Sequence, residues 1–202
     1  EDGTNASATL ASERARSVEV GLRHPRIECV LYRQEVQNPI VEQVDSLGIS
    51  TFVNANDPLQ MQGLETRAQW QGAHHAFSLA ATWQHHLLNN MGLPGSPPWM
   101  ANLQWKWQPQ WADSWTWHTW IRGLGETPLN NANTENHPAY MTVNVELSCR
   151  APARNLQVTL GCRNLTNELH SGWHQVNAFG GRFYNPAPPR TFTVGLTWSQ
   201  GG

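Results

Sequence analysis

The stretch RTFTVGLTW (residues 190–198) alternates strictly between apolar residues and small polar ones. Its apolar members share one face of an extended chain and are Phe192, Val194, Leu196 and Trp198. This alternation is typical of a β-strand with a single apolar face. The fold therefore depends on whether that face packs into a protein core or contacts lipid.

The same pattern recurs along the chain and predicts nine strands. Together with RTFTVGLTW they are SVEVGL (17–22), RIECVLYRQEV (26–36), GLETRAQWQ (63–71), AFSLAATWQ (76–84), WMANLQWKWQ (99–108), SWTWHTWIRGLG (114–125), YMTVNVELSCR (140–150) and NLQVTLGCR (155–163). The alternation is weaker in residues 26–36, and Trp120 lies on the polar face of its strand. Helical periodicity is confined to a short ambiguous run at 85–90.

The connections between these strands alternate between short and long. The short ones are 24–26, 72–74, 108–114 and 151–154, and the long ones are 37–58, 86–98, 126–138 and 167–189. An up-and-down barrel in a membrane has short turns at one rim and long loops at the other. A Greek-key sandwich would distribute long connections between both ends. The sequence therefore predicts an all-β, antiparallel, up-and-down transmembrane β-barrel.

The number of strands indicates part of a larger barrel. Complete single-chain bacterial barrels have an even number of strands. Nine strands over residues 1–202 therefore predict the C-terminal portion of a larger barrel. If one strand is excluded, the alternative is a complete barrel of eight strands.

Composition supports a membrane location. The chain has 11 Trp but only 14% charged residues. Aromatic residues form belts at membrane interfaces, and five tryptophans near the short turns are expected in one such belt: Trp70, Trp107, Trp111, Trp115 and Trp198. A net charge of −2 argues against nucleic-acid binding. The sequence has no apolar run of 18 residues and no basic region followed by an apolar run, so neither a transmembrane helix nor a signal peptide is expected in it.

The polar faces of the strands carry mostly Thr, Ser, Asn, Gln and Gly, as expected of a barrel interior. The charged residues predicted to point into the lumen are Arg67, Lys106, Arg122, Glu146, Arg150 and Arg163. The pattern contains no nucleophile elbow and no metal-ligand spacing. The sequence therefore predicts neither a catalytic residue nor a bound metal or cofactor. The three cysteines fit apolar strand positions as small hydrophobic residues.

Several elements resemble TonB-dependent outer-membrane receptors. They occur in the family's order and are ERARSVEVGLRH (13–24), IECVLYRQEVQNPIVEQ (27–43), MQGLETRAQWQ (61–71), LQVTLGCRNLTNELH (156–170) and GRFYNPAPPRTFTVGLTW (181–198). The chain departs from the family in its SQGG ending after Trp198 and in lacking the plug domain and TonB box.

The resemblance implies uptake of a scarce, large ligand across the outer membrane of a Gram-negative bacterium. Ferric siderophores are the commonest substrates of the family, followed by haem, cobalamin, copper and glycans. The implied partners are the TonB–ExbB–ExbD system acting through the missing plug, outer-membrane lipid and the barrel-assembly machinery.

Histidine and methionine side chains near the long connections are the candidate ligand-binding groups. They are His85, His86, Met91, His137, His170 and His174, with Trp173 beside the last pair. Imidazole and thioether groups suit a ferric chelate, haem or copper. The alternative is that they are ordinary solvated loop residues.

The sequence leaves two other functions open. One is a structural or adhesive outer-membrane barrel without transport, and the other is a soluble Trp-rich protein that binds glycans.

Overall fold

The computed structural model describes residues 5–6, 10–45, 47–151 and 155–199. Nine long strands account for about half of the described residues. We number them in chain order as β1 (Arg14–His24), β2 (Ile27–Gln37), β3 (Leu59–Gln71), β4 (His75–Leu88), β5 (Trp99–Trp107), β6 (Trp115–Leu124), β7 (Tyr140–Ala151), β8 (Leu156–Arg163) and β9 (Thr191–Trp198). The nine predicted strands are confirmed, so the reading of eight strands is wrong.

The nine strands form one antiparallel sheet in which each strand pairs with its neighbours in sequence. The main contacts of every long strand are with these sheet neighbours, and no second layer packs against the sheet in the described ranges. This is the up-and-down meander of the predicted partial barrel. In the part of the chain that the structure describes, the outer edges of β1 and β9 have no partner strand.

The strand registers join the apolar faces of all nine strands into one continuous face. Leu79 in β4 lies opposite Leu103 in β5, which lies opposite Ile121 in β6 and then Val143 in β7. Because side chains alternate across a strand, this pairing also aligns the polar residues on the opposite face. We call the two surfaces the apolar face and the polar face.

The apolar face is exposed. Val194 and Leu196 of β9 are 74% and 72% exposed, and Leu103 in the middle of the sheet is still 40% exposed. A water-soluble sandwich would cover such a face with a second layer. The described part of the sheet has no such layer, which fits the predicted contact with lipid.

Several strands extend further toward the long connections than the alternation of side chains suggests. β4 continues to Leu88, through the run at 85–90 that was ambiguous from sequence. β1 begins at Arg14, before the first apolar residue of its pattern. Backbone hydrogen bonds hold a ladder together regardless of side-chain polarity, so strands continue past the point where the pattern ends.

The long connections are four loops at one rim of the sheet. They are L1 (38–58, with residue 46 not described), L2 (89–98), L3 (125–139) and L4 (164–190). The turns at the other rim are short, at 25–26, 72–74 and 108–114. The fourth predicted turn, at 151–154, lies mostly outside the described residues. No helix in the described ranges has the length and apolar character needed to cross a membrane.

Short strands give the loops their own structure. L1 holds Ile40–Val44 and Ser50–Asn54, with Asn5–Ala6 alongside, and Met91–Gly92 extends L2 from β4. L3 contains the pair Thr127–Pro128 and Asn136–His137. L4 contains the pair Ser171–His174 and Tyr184–Pro186 and one 3-10 turn at Phe179–Gly181.

Candidate functional site

Asparagine side chains join three of the long loops, L2, L3 and L4, to one another. Asn133 in L3 accepts a hydrogen bond from the backbone of Gly92 in L2 at 2.7 Å and donates one back at 2.9 Å. Asn177 in L4 accepts one from the backbone of Asn131 in L3 at 2.8 Å. The short amide side chain bonds backbone groups in both directions and tolerates the left-handed conformation that Asn133 and Asn177 adopt.

Apolar contacts reinforce this loop layer. Leu129 in L3 is fully buried, and Phe183 in L4 is nearly so. A Cβ atom added to Gly48 in L1 would lie 3.2 Å from the ring of Phe179 in L4. The buried side chains of this protein therefore include the loop layer as well as the sheet, and the loops pack as a connected unit.

The motif RNLTNELH positions the start of L4. Asn164 is buried and its side chain bonds both the N–H and the C=O of Glu168, at 2.8 and 2.9 Å. Its own N–H donates to the side chain of Asn144 in β7. Asn167 accepts a bond from the N–H of Arg190 at 2.9 Å, immediately before β9. The two asparagines thus connect the end of β8 to the beginning of β9.

Aromatic and imidazole rings meet where L3 and L4 join the polar face. This loop cluster consists of His137, Tyr140, His170, His174 and Tyr184. The rings of His137 and His174 are 4.3 Å apart between centroids, and Tyr140 stacks on His170 at 4.5 Å. Tyr140 begins β7 on the same face as Glu146. The loop cluster therefore lies at the entrance to the polar face.

Hydrogen bonds hold His137 in one neutral form. Its Nε2 accepts the N–H of Ser171 at 3.1 Å, so that nitrogen carries no proton. Burial lowers the pKa of His137, a backbone hydrogen bond at Pro138 opposes the change, and the nearby His170 lowers it further. Burial also lowers the pKa of His174, with further lowering by His137 and His170. The lowered pKa values leave His137 and His174 uncharged at neutral pH.

The loop cluster offers ring faces to a ligand. The Nε2 atom of His174 is buried without a hydrogen-bond partner in the described part of the protein. Tyr184 is 46% exposed and Trp173 is 61% exposed beside it. Three metal-ligating side chains do not converge anywhere in the described ranges. The arrangement suits stacking and hydrogen bonding with a planar ligand better than direct coordination of a bare ion.

Three of the candidate histidines therefore come together, whereas His86 does not join them. His86 lies on the polar face of β4, and its ring nitrogens lie 2.9 Å from the hydroxyl of Tyr32 and 2.9 Å from that of Ser96. His85 lies on the apolar face of the same strand, at its loop end. Met91 lies in the short strand of L2 and is 44% exposed.

The registers place all six predicted lumen residues on the polar face. They are Arg67, Lys106, Arg122, Glu146, Arg150 and Arg163. Lys106, His118 and Glu146 lie in one row across β5, β6 and β7. The salt bridge seen in the described ranges joins Arg23 to Glu28 at 2.6 Å, near the short turns, and involves none of the six.

The predicted interface tryptophans lie at the short-turn rim. Trp70, Trp107, Trp115 and Trp198 are on the apolar face, and Trp111 is 81% exposed in the turn at 108–114. Next to them, His75 and Trp105 each stack with both Phe77 and Trp107, and with each other, at ring separations of 6.1–6.4 Å. The indole N–H of Trp105 donates to Nδ1 of His75 at 3.2 Å. One end of the apolar face thus carries a continuous aromatic strip.

Tyr140 and Tyr184 belong to the loop cluster but did not stand out in the sequence as site residues. The available signal was their scarcity, because the chain has three tyrosines, of which Tyr140 directly follows L3 and Tyr184 lies within L4. The asparagine bridges were also missed, since turn-rich loops use Asn for local reasons that need no long-range partner.

Comparisons with known proteins agree with this architecture. A family model described as TonB dependent receptor-like, beta-barrel, matches residues 1–165. Among solved structures, the ferric-catecholate import receptor Fiu from E. coli K12 superposes with a TM-score of 0.71 at 17% identity, covering 95% of this chain and 29% of that one. The ferric yersiniabactin uptake receptor FyuA from Yersinia pestis gives 0.71 at 13% identity, covering 91% and 29%.

FpvA of P. aeruginosa, solved bound to a ferric pyoverdine, gives a TM-score of 0.72 at 12% identity, with coverage of 94% and 27%. At these identities the likeness concerns the fold. The chain spans less than a third of the length of each of these three structures.

Proposed function

This chain belongs to the TonB-dependent receptor family as part of its β-barrel, and we propose that it serves in outer-membrane uptake of a scarce iron complex. The observation that carries the proposal is the family match over residues 1–165. The named relatives are receptors and transporters rather than enzymes, and Fiu and FyuA are named for ferric ligands. The chain is thus assigned to a receptor family and to no enzyme class.

In this proposal residues 1–202 form the C-terminal portion of a larger barrel, and the plug domain belongs to another part of the receptor. The apolar face contacts outer-membrane lipid of a Gram-negative bacterium, and the polar face lines the lumen. Alternation of apolar outward and polar inward residues is the rule for such barrels. The six charged residues from Arg67 to Arg163 then face the plug and can pair with it.

The partners of the receptor follow from the same proposal. The plug couples the receptor to TonB–ExbB–ExbD, and the barrel-assembly machinery inserts the strands into the membrane. The long loops lie on the outer side, as they do in outer-membrane barrels. The ligand therefore meets the long loops first.

The loop cluster is the proposed first contact for the ligand. His137, His170 and His174 converge with two tyrosines at the entrance to the polar face, and Trp173 is exposed beside them. Rings of this kind bind planar organic groups by stacking. We propose a ferric siderophore or another iron complex as the ligand, with His86 as a second contact deeper on the polar face.

Deleting the full-length gene in its host tests the uptake. We expect impaired growth on iron-limited medium and loss of uptake of one radiolabelled ferric complex, with haem, cobalamin, copper and glycan uptake unchanged. The full-length gene restores uptake, and a copy without its TonB box does not. Unchanged iron uptake would contradict the proposal and would favour a structural or adhesive barrel.

Cysteine labelling tests the orientation of the two faces separately. A water-soluble maleimide that has been given access to the periplasm should react with single cysteines at Arg67, Lys106 and Arg122. Single cysteines at the matched positions Leu79 and Leu103 should not react, because they contact lipid. The opposite result would mean that the apolar face does not contact lipid, and it would favour the soluble Trp-rich protein.

A further inference from the structure

The apolar face carries a groove at the loop end of β1 to β4. Its volume is about 770 Å³, and its apolar lining consists of Val18, Val20, Leu31, Leu64 and Trp83, with Pro98 at one side. The registers confirm one shared face, because Val20 lies opposite Leu31, Leu31 opposite Leu64 and Leu64 opposite Trp83. Val18, Val20 and Leu31 are 60–70% exposed.

Polar and cationic residues lie directly above this groove on the same face. The next row toward the loops contains Arg33, Gln62 and His85 beside Val18, and all four line the groove. The row beyond contains Arg16 opposite Glu35, and Arg14 follows on β1. Three arginines thus accompany one glutamate at the boundary between the apolar groove and the loops.

The three arginines are exposed in the described chain. Arg14 and Arg16 lie on β1, whose outer edge has no partner strand in the described residues, and Arg33 lies on β2 inside the sheet. The salt bridge seen in the described residues lies at the opposite end of β1, between Arg23 and Glu28. The positive charge above the groove is therefore not neutralised by a bonded carboxylate within the described chain.

We propose that this groove binds one anionic, phosphate-bearing lipid of the leaflet on the long-loop side. Its acyl chain occupies the surface formed by Val18, Leu31 and Leu64, with Trp83 as a wall. Its phosphate meets Arg33 and Arg16, because guanidinium groups pair with phosphate through two parallel hydrogen bonds.

The charge pattern favours this occupant over a second protein or a neutral lipid. A membrane-facing groove is surrounded by acyl chains, which supply the apolar part at high local concentration. Arginines near a membrane surface attract anionic headgroups more strongly than zwitterionic ones. The inference concerns retention of a lipid and not ligand uptake, and it rests only on the proposed contact of the apolar face with the membrane.

The test uses the full-length receptor in detergent, titrated with phosphatidylglycerol or with phosphatidylcholine of the same acyl chains. Native mass spectrometry counts the lipids that each receptor retains. We expect one phosphatidylglycerol to be retained tightly and phosphatidylcholine weakly. The double variant Arg16→Gln/Arg33→Gln should bind phosphatidylglycerol about 25-fold more weakly, at about fivefold per arginine.

Arg182→Gln is the matched control, because Arg182 is an exposed arginine in L4 away from the groove lining. It should retain phosphatidylglycerol like the native receptor. Trp83→Ala supplies a second readout, with weaker retention of both lipids. Equal retention of the two lipids by the native receptor, or unchanged retention by the double variant, would overturn the proposal. Radiolabelled iron uptake by the double variant should stay normal, so a failed lipid test leaves the uptake proposal intact.

Discussion

The backbone N–H of Ser171 in L4 donates a 3.1 Å hydrogen bond to Nε2 of His137 in L3. This bond requires a neutral imidazole, because a protonated Nε2 can only donate. His137 is 5% exposed, so solvent does not replace the lost partner. The contact between the two loops therefore depends on the protonation of one histidine.

Acidification should loosen the L3–L4 contact. The pKa of His137 and of His174 is lowered from the ordinary value of about 6.5. Their contribution to loop stability is thus complete above about pH 6.5 and is lost as the pH falls through the lowered pKa values. Hydrogen–deuterium exchange of residues 171–186 in the full-length receptor, corrected for intrinsic rates, should be faster at about pH 5 than at about pH 7.5.

His137→Gln is the control for this pH effect. The amide oxygen of glutamine can accept the bond from Ser171 and does not titrate in this range. The variant should lose most of the acid-induced increase in exchange. The same increase in the variant as in the native receptor would assign the effect to other groups.

Gly63→Ala should destabilise the barrel wall. A Cβ atom at Gly63 would lie 2.6 Å from the carbonyl oxygen of Trp83 and 2.7 Å from the hydroxyl of Tyr32. The backbone of β4 and the Tyr32–His86 hydrogen bond would both have to move. We expect a loss of about 1–3 kcal/mol in the free energy of unfolding, measured by urea unfolding of the receptor in lipid vesicles.

Gly21→Ala is the matched substitution on the same face of the sheet. Its Cβ would have ordinary contacts at 3.6 Å. The unfolding free energy should change by less than about 0.5 kcal/mol. Equal effects of the two substitutions would mean that Tyr32 does not lie over Gly63.

Asn164→Ala should weaken the junction between β8 and L4. The change removes both side-chain hydrogen bonds to Glu168 and places alanine at φ 51°. A loss of about 2 kcal/mol is expected. The melting temperature of the full-length receptor, followed by loss of its heat-modifiable band, measures the change.

Asn155→Ala is the control for backbone conformation alone. Asn155 has φ 47°, and no side-chain hydrogen bond from it is seen in the described ranges. Alanine at positive φ costs about 1 kcal/mol, so this variant should lose clearly less stability than Asn164→Ala. An equal loss in the two variants would assign the effect of Asn164 to the backbone and not to its bonds.

Leu103→Arg should impair insertion into the membrane. Leu103 lies on the apolar face in the row between the aromatic strip and Trp83. An arginine facing lipid near the midplane of a barrel costs about 2–4 kcal/mol. Asn102→Arg places the same side chain on the polar face one residue earlier and should be tolerated. The yield of folded receptor in outer-membrane fractions compares the two, and equal yields would argue against lipid contact.

Asn133→Ala should weaken the contact between L2 and L3 without affecting the sheet. The change removes the paired bonds to Gly92 at 2.7 and 2.9 Å. Hydrogen exchange at residues 91–96 should accelerate, while exchange in β4 and β5 stays unchanged. Asn56→Ala is the control, since Asn56 is exposed in L1 and no side-chain bond from it is seen in the described residues. Acceleration in both variants would point to general loosening of the loops.

The nine-stranded sheet could be predicted from sequence because the alternation of apolar and polar side chains is visible within each strand. Leu79, Leu103 and Ile121 alternate with polar residues in their own strands, and matching faces then settle the register. Strand ends were less predictable, since β4 continues to Leu88 through residues without clear alternation. There the backbone ladder continues although the side-chain pattern has ended.

The candidate site could be predicted only in part. His137, His170 and His174 were recognisable as ligand-type residues, but their proximity depends on pairing within L3 and L4 that no periodicity encodes. His86 was grouped with them, yet its strand directs it toward Tyr32 and Ser96. The contributions of Tyr140 and Tyr184 follow from ring contacts between segments far apart in the chain.

The asparagine bridges between the loops also constrain how this receptor could be re-engineered. Replacing L3 alone with a loop from a relative would leave Gly92 and Asn177 without the groups they bond. Chimeras that exchange L2, L3 and L4 together should keep those bonds, whereas single-loop grafts should not. New ligand specificity would have to be transplanted as a set of three loops.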